Sequence, residues 1–520
     1  MLIMKQLCLQ QARVAVIGAG TMGIGIAQLA AMHGHPTQLF DVDVQKSEAA
    51  LAQLKTQLEK RVAAGKMTAQ LLQQTLANLT IASDLQALAN AQLVVEAIVE
   101  KKEVKQALFQ QLAALCPVET IFASNTSSIS ITAIAAAIPQ PERVVGLHFF
   151  NPAPVMKLVE IIRGLKTSAE IAQALFSLMQ SWNKVPVTAK STPGFIVNRV
   201  ARPYYAEAFR ALQENVTTPE QLDFIMRECG RFAMGPCELT DLIGQDVNFS
   251  VTQSVYQEFF YEPRYRPSLI QKELVDAGCF GRKSGQGFYD YRQAERSPAY
   301  RLPAMPSVAP GELEIEVNGS WSHSSGLISR IQAASQLKVQ RQPQADEEIV
   351  LGDVRLRLSR GESVELDYSN DKVVLMDWHA DWNAAQALPI VASPACNAAD
   401  IAKVEQFFAA IDLIPIWTKD HAGLYVLRTI SMLVNEASEA VLHAIATEQD
   451  INSAMKYGVN YPQGPFQWAE KIGYNTILQI LKNMYRIYSE ERYRCSIYLS
   501  KKAAQERTQS EQELEFRQAG

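Results

Sequence analysis

Over residues 13 to about 190, short apolar runs alternate with stretches of helical periodicity. The runs Val14–Ile17, Thr37–Phe40, Leu93–Glu96, Thr120–Ala123 and Val144–Leu147 read as buried strands. Strands that alternate with helices predict a mostly parallel sheet with helices on both faces, an α/β fold of the Rossmann type. Between Asp41 and Leu93 the pattern is helical with no strand signal, which predicts a helical hairpin inserted after the second strand. At Ser191 the pattern changes. Thr192-Pro193-Gly194 punctuates the chain, and helical periodicity then continues to about Glu273, so an all-α domain is expected there. The glycine-rich segment Gly281–Tyr289 ends it, and Pro298, Pro303, Pro306 and Pro310 mark a stiff, extended linker.

The second half of the chain repeats the helical domain. Pro186, Gly194, Arg199, Glu207, Met226, Gly235-Pro236 and Ile243-Gly244 recur at a constant offset of 229. Their counterparts are Pro415, Gly423, Arg428, Glu436, Met455, Gly464-Pro465 and Ile472-Gly473. A fixed offset over so many positions indicates duplication. Residues 312 to about 410 keep strand-like pieces such as Val373–Met376 but no glycine fingerprint. Two readings stand for that stretch, a degraded nucleotide-fold copy or a short α/β spacer. The polar tail after Ser500 reads as helical or frayed. The expected organisation is a nucleotide-binding domain over 1–190, a helical domain over 191–291, a linker over 292–311, the degenerate α/β stretch over 312–414 and the second helical domain over 415–520.

The turn after the first strand carries the first chemistry. In Gly18-Ala19-Gly20-Thr21-Met22-Gly23, Gly18 permits the tight turn, Gly20 lets backbone approach a pyrophosphate, and Gly23 lets the next helix pack on the strand. The helix N-terminus then presents free N–H groups to phosphate. The second strand ends in Asp41, about twenty residues on, where a carboxylate accepts from both ribose hydroxyls and repels a 2′-phosphate. The expected cofactor is NAD rather than NADP.

Composition narrows the class further. The chain has 520 residues, 48% apolar and 20% charged, with a net charge of −5, which points away from nucleic acid and membrane surfaces. Seven scattered cysteines without a Cys-x-x-Cys pair read as reduced thiols of a cytoplasmic enzyme. No signal peptide and no membrane-spanning run is seen, and no metal is expected.

Two further segments follow strand ends, where an open parallel sheet forms its ligand crevice. They are Ser124-Asn125-Thr126-Ser127-Ser128 and His148-Phe149-Phe150-Asn151-Pro152. Asn198, at the start of the helical domain, is expected to approach the same crevice. Oxidising an alcohol with NAD needs a hydride acceptor and a base for the proton, and an imidazole suits the second task. His148 is the candidate base. Glu160 can fix its tautomer, and Ser127 and Asn198 can hold the reacting oxygen. A non-catalytic nucleotide-binding protein, or a dehydrogenase of some other hydroxy acid, are the competing readings.

The residues Gly18–Gly23, Glu96–Glu100, Asn125–Ser128, His148–Lys157 and Thr192–Arg199 resemble the 3-hydroxyacyl-CoA dehydrogenase family, over residues 13 to about 290. The resemblance implies oxidation of an (S)-3-hydroxyacyl-CoA to the 3-oxoacyl-CoA. It makes His148 and Glu160 the catalytic pair, and it lines the substrate site with Ser127, Asn151 and Asn198. Asp41, Glu100, Lys105 and Asn125 fall among the implied NAD contacts. The hairpin would carry coenzyme A, with Lys60, Arg61 and Lys66 near its phosphates. The longer layout resembles the branch of the family that acts on 3-hydroxyadipyl-CoA in bacterial phenylacetate degradation, with 3-hydroxybutyryl-CoA as the alternative substrate. The distal carboxylate of an adipyl chain would pair with Arg202 or another basic group of the helical domain. In the second copy Leu427 stands where the first has Asn198, so one active site per chain is expected. The two helical domains would then form a pseudo-dimer within the chain, with further homo-oligomerisation left open.

Overall fold

Val14–Ile17 is buried at every position, as a central parallel strand covered on both faces must be. It is β1 of an eight-stranded sheet. The others are β2 (Thr37–Phe40), β3 (Leu79–Ile81), β4 (Leu93–Glu96), β5 (Ile121–Ser124), β6 (Val144–Phe149), β7 (Leu158–Arg163) and β8 (Val185–Lys190). Their order is β3-β2-β1-β4-β5-β6-β7-β8, and every pairing is parallel except β6 with β7. Val16, Leu39, Val95, Ala123, Leu147 and Ile161 form the core, with Ile26 and Leu175 from the covering helices. This is the Rossmann-type sheet expected.

The structure described is a computed structural model covering residues 9–292, 300–306, 312–343 and 345–519. Cys8, Pro298 and Pro310 lie outside these residues. Two compact units are found, residues 1–199 with 443–459, and residues 200–442 with 460–520.

In the first unit, α1 (Thr21–Met32) follows the glycine turn, and α2 (Val44–Ala63) and α3 (Ala69–Ala77) form the inserted hairpin. Gly65, at φ +68, turns the chain between them. The hairpin is followed by a strand where none was expected. β3 is three residues long and holds only the sheet edge beside β2, too short to show a period. β7 and β8 also went unread. β7 carries the charged Glu160 inside an apolar run, which broke the strand pattern. The helix Glu448–Gly458, from the second repeat, belongs to this unit and packs on β7 and β8. Lys190 N–H donates to the Ile445 carbonyl at 2.9 Å. A Cβ on Gly458 would stand 2.6 Å from a Leu158 methyl and 3.1 Å from a Val197 methyl, so glycine lets the helix pack closely on these side chains.

The second unit has its own seven-stranded sheet. Its strands are β9 (Leu313–Asn318), β10 (Leu337–Gln342), β11 (Glu348–Leu351), β12 (Val354–Leu358), β13 (Val373–Met376), β14 (Ala387–Ala392) and β15 (Ile414–Trp417), in the order β10-β9-β11-β12-β13-β14-β15. The offset of 229 extends into it. Leu147 faces Ile161 in the first sheet, and Met376 faces Ile390 in the second. Glu160 pairs with Val187, and Pro389 with Ile416. Asp377 thus stands in the place of His148, and Pro389 in that of Glu160. The Asp377 carboxylate accepts from the N–H groups of Tyr425, Val426 and Leu427 at 2.8–3.0 Å. Burial pushes this carboxyl up to about 6, against the N–H groups that favour its charged form.

The two helical repeats meet within this unit. Helix Arg202–Gln213 packs on helix Val426–Leu442. Arg428 Nε donates to Glu207 at 2.6 Å, and both side chains are buried. The surrounding contacts obey a pseudo-twofold. Tyr493 OH donates to Glu207 and Tyr265 OH to Glu436, while Arg492 and Arg264 each lie 3.7 Å from the same two carboxylates. That reciprocity is the mark of an isologous dimer interface, here formed inside one chain. No helix among the described residues is long and apolar enough to cross a membrane.

Candidate active site

The antiparallel β6–β7 pair places His148 directly opposite Glu160. His148 Nδ1 lies 2.6 Å from Glu160 Oε2, and both side chains are largely buried. A carboxylate only accepts, so Nδ1 carries the proton and Nε2 is left with a free lone pair. Glu160 is held in turn: its Oε1 accepts from the N–H groups of Ile196 and Val197, each at 3.0 Å. Phe150 lies against the imidazole at 4.6 Å between ring centroids, and Phe195 edges it at 5.9 Å. Gly458 abuts Phe150 from behind, its Cβ direction 3.7 Å from the ring tip.

The other polar candidates are tied to this pair. Phe149 N–H donates to Asn125 Oδ1 at 2.8 Å, which joins the end of β5 to the residue after His148. Asn198 Nδ2 reaches the Ser127 carbonyl at 3.5 Å. Asn198 thus falls in the same compact unit as His148. Ser127 is half-buried, with its N–H donating to Glu100 at 3.0 Å, and Asn151 is exposed on the loop after β6. Lys184, unread in the sequence, steadies that loop. Its ammonium donates to the carbonyls of Ala153 and Met156 at 2.5 and 2.7 Å, and burial pulls it down to about 8.

The glycine turn has the geometry that phosphate binding needs. A Cβ on Gly23 would stand 1.7 Å from the Gly18 carbonyl oxygen, whereas nothing lies within 4 Å of Gly20. Gly18 adopts φ +103, and no side chain caps α1. Thr21 is exposed and Met22 half-buried at the helix start. Asp41 Oδ2 accepts from Ala19 N–H at 2.9 Å, which fixes the carboxylate beside the turn. These residues fit a dinucleotide.

Lys105 has a different setting from the other cofactor candidates. It is 1% exposed, donating to Glu96 at 2.6 Å and lying 3.1 Å from Glu100. Glu96 also accepts from Ser124 Oγ at 2.6 Å. The buried lysine therefore braces the ends of β4 and β5. Burial would raise the Glu100 carboxyl, but Lys105 and the hydrogen bonds from Thr126 and Ser127 hold it below the ordinary carboxylate range. On the hairpin, Lys60, Arg61 and Lys66 are all exposed. Arg61 borders a cavity of about 460 Å³ that it shares with Gly20, Thr21, Gln57 and Pro154, whereas Lys60 and Lys66 do not line it. Arg202 belongs to the second unit. It is 5% exposed, donates to Thr252 Oγ1 at 2.9 Å, and lies over the Tyr205 ring.

Comparison with known proteins agrees with this geometry. Residues 13–192 match the 3-hydroxyacyl-CoA dehydrogenase NAD binding domain. Residues 194–291 and 423–518 each match the C-terminal domain of the same family. Residues 356–421 match the 3-hydroxybutyryl-CoA dehydrogenase reduced Rossmann-fold domain. The 3-hydroxyadipyl-CoA dehydrogenase of Escherichia coli K12 is 46% identical over 93% of this chain and 96% of its own. The 3-hydroxybutyryl-CoA dehydrogenase of Bradyrhizobium diazoefficiens is 41% identical over 55% of this chain and 97% of its own. A crystal structure described as 3-hydroxybutyryl-CoA dehydrogenase from Escherichia coli K12 matches with a TM-score of 0.86 and 43% identity, covering 96% of this chain and 99% of that one. A carboxylate-oriented imidazole, a dinucleotide turn and these full-length matches lead to one conclusion: the chain belongs to the 3-hydroxyacyl-CoA dehydrogenase family, NAD-dependent oxidoreductases of acyl-CoA thioesters.

Proposed function

We propose that the chain oxidises an (S)-3-hydroxyacyl-CoA whose acyl chain ends in a second carboxylate, with 3-hydroxyadipyl-CoA as the substrate. The observation that carries the catalytic part is the His148–Glu160 pair, with imidazole Nε2 free. His148 Nε2 takes the hydroxyl proton as the alcohol is oxidised. Glu160 keeps the imidazole in the accepting tautomer and stabilises the cation that forms. Ser127 and Asn198 orient the reacting oxygen, with Asn151 beside the acyl chain. NAD, when bound at the Gly18–Gly23 turn, supplies the hydride acceptor. Asp41 holds the adenosine ribose, with Glu100 and Asn125 toward the nicotinamide side, and Arg61 is the hairpin cation best placed for a coenzyme A phosphate. Six cysteines, Cys116, Cys229, Cys237, Cys279, Cys396 and Cys495, are free, which supports a cytoplasmic setting.

The dicarboxylic assignment rests on Arg202 and on the full-length relative named for 3-hydroxyadipyl-CoA. Arg202 lies four residues beyond Asn198 and is buried without a carboxylate partner among the described residues. A buried guanidinium without a counter-ion is suited to an anionic ligand group. Loss of NADH absorbance with 3-oxoadipyl-CoA, acetoacetyl-CoA and free acetoacetate tests the whole reading. Turnover is expected with both thioesters, with the higher kcat/KM for 3-oxoadipyl-CoA, and none with the free acid. Arg202→Leu raises KM for 3-oxoadipyl-CoA by about tenfold or more, as loss of a charged hydrogen bond predicts, and changes acetoacetyl-CoA little. Equal effects on both thioesters remove Arg202 from substrate recognition.

Asp41 gives a second test. Asp41→Ala raises KM for NAD by about tenfold and narrows the preference over NADP, because the ribose hydroxyls lose an anionic acceptor and a 2′-phosphate loses a repelling charge. Steady-state rates with the two cofactors check this, and an unchanged ratio contradicts the role.

A further inference from the structure

The second unit contains a cavity that catalysis does not use. It has a volume of about 450 Å³ and is lined by Arg231, His323, Ser324, Trp382, Trp468 and Lys471, among others. Its position repeats that of the cavity beside the dinucleotide turn. In the first sheet, the helix after β1 brings Gly25 against Ala153, so that a Cβ added at Gly25 would stand 3.4 Å from that of Ala153. In the second sheet, the helix after β9 (Ser325–Ala333) brings Gly326 against Trp382, the residue 229 places beyond Ala153. Each cavity therefore opens at a first strand-to-helix turn of its sheet.

The turn itself no longer admits a dinucleotide. Glu347 accepts from Trp321 N–H at 2.7 Å and from Ser320 Oγ at 3.2 Å, so a carboxylate already occupies the place where a pyrophosphate would lie. The indole of Trp321 is buried there and donates to the Asn318 carbonyl at 2.6 Å. What survives is the helix start. Ser324 is the N-cap residue of helix Ser325–Ala333, yet its hydroxyl makes no capping bond. Ser324 Oγ, Trp382 Nε1 and Trp468 Nε1 are buried donors without a partner among the described residues, in residues that are 2%, 6% and 0% exposed. Arg231 and Lys471 add two cations. Arg231 spends single bonds on Glu228 and the Ala384 carbonyl, and Lys471 spends one on the Ala380 carbonyl. The one lining carboxylate, Asp381, is exposed and accepts from Asn383 N–H.

We propose that this cavity is a second ligand site, which binds a compact organic phosphate at the N-terminus of helix Ser325–Ala333. A phosphate monoester brings a charge near −2 and three terminal acceptor oxygens. That matches two cations, the free N–H groups of a helix start and a surplus of buried donors better than the two oxygens of a carboxylate. The Trp382 indole, with Trp468 packed behind the lining, gives the organic part an apolar wall.

Calorimetric titration with phenyl phosphate tests the site, using the full chain saturated with NAD and acetoacetyl-CoA. Both are oxidised, so nothing turns over and the catalytic unit is filled. One equivalent is expected to bind with a Kd of about 1 mM or tighter. Arg231→Gln combined with Lys471→Met weakens binding at least tenfold, while NADH oxidation with acetoacetyl-CoA stays within twofold. Ser324→Asp abolishes binding in a chain that folds, because an aspartate caps the helix and repels the phosphate. Absence of saturable binding up to about 10 mM, equal affinity in the variants, or tighter binding of benzoate than of phenyl phosphate overturns the proposal.

Discussion

Converting His148 to Gln lowers kcat for thioester oxidation by about 10²–10⁴-fold, the range that a positioned proton-transfer group contributes. KM changes little, because the amide fills the same space beside Phe150. The companion change Glu160→Gln is expected to lower kcat to a similar extent, for a different reason. A glutamine at position 160 can still offer its oxygen to Ile196 and Val197 N–H. Its NH₂ group then points at His148 Nδ1, which must accept, and the imidazole proton moves to Nε2. The base then faces the substrate in the wrong tautomer, as in an Asp→Asn change at a Ser-His-Asp triad. Stopped-flow or steady-state NADH absorbance on folded variants decides the matter. A His148→Gln chain that reduces acetoacetyl-CoA at the parental rate refutes the role given to this residue.

The largest expected effect on stability lies in the second unit. Arg428→Met leaves the Glu207 carboxylate buried without its main partner, and breaking such a pair costs about 3–5 kcal/mol. Burial alone would raise the Glu207 carboxyl, and Arg428 and Arg492 hold it below the ordinary range. The variant is expected to lose about 10 °C from the calorimetric midpoint of the second unit. Adding Glu207→Gln removes the stranded charge and restores most of that loss. A single Arg428→Met variant as stable as the parent shows that the pair adds nothing to the contact between the two repeats.

Much of this was legible in the chain, and the exceptions share a cause. The glycine turn, Asp41 and the strands at Val14, Thr37 and Leu93 are local patterns, each readable within a few residues. Residue type points to the candidate dyad, but what brings its two members together is the antiparallel register of β6 and β7. The pattern does not predict β7, because Glu160, the candidate partner of His148, interrupts its apolar run. The Glu96–Lys105–Glu100 cluster was half-seen. Lys105 enters the sequence reading only as an NAD contact implied by the family resemblance, and only the folded chain shows both carboxylates around its ammonium. Lys184 and Gly458 left no signal, since each acts on residues distant in sequence or through backbone alone. The offset of 229 was visible in the helical repeats, whereas its extension to Asp377 and Pro389 needed strand register, because little side-chain identity remains there.

The Arg428–Glu207 contact has a consequence for inheritance. When two identical subunits associate, every codon change appears on both sides of the twofold, and a residue needed in one active site must be kept in each. Joining the halves in one polypeptide removes that doubling. The downstream half can exchange imidazole for Asp377, carboxylate for Pro389 and amide for Leu427 while the upstream half keeps all three. Dilution cannot separate these two repeats either, because one polypeptide carries both sides of the Arg428–Glu207 contact.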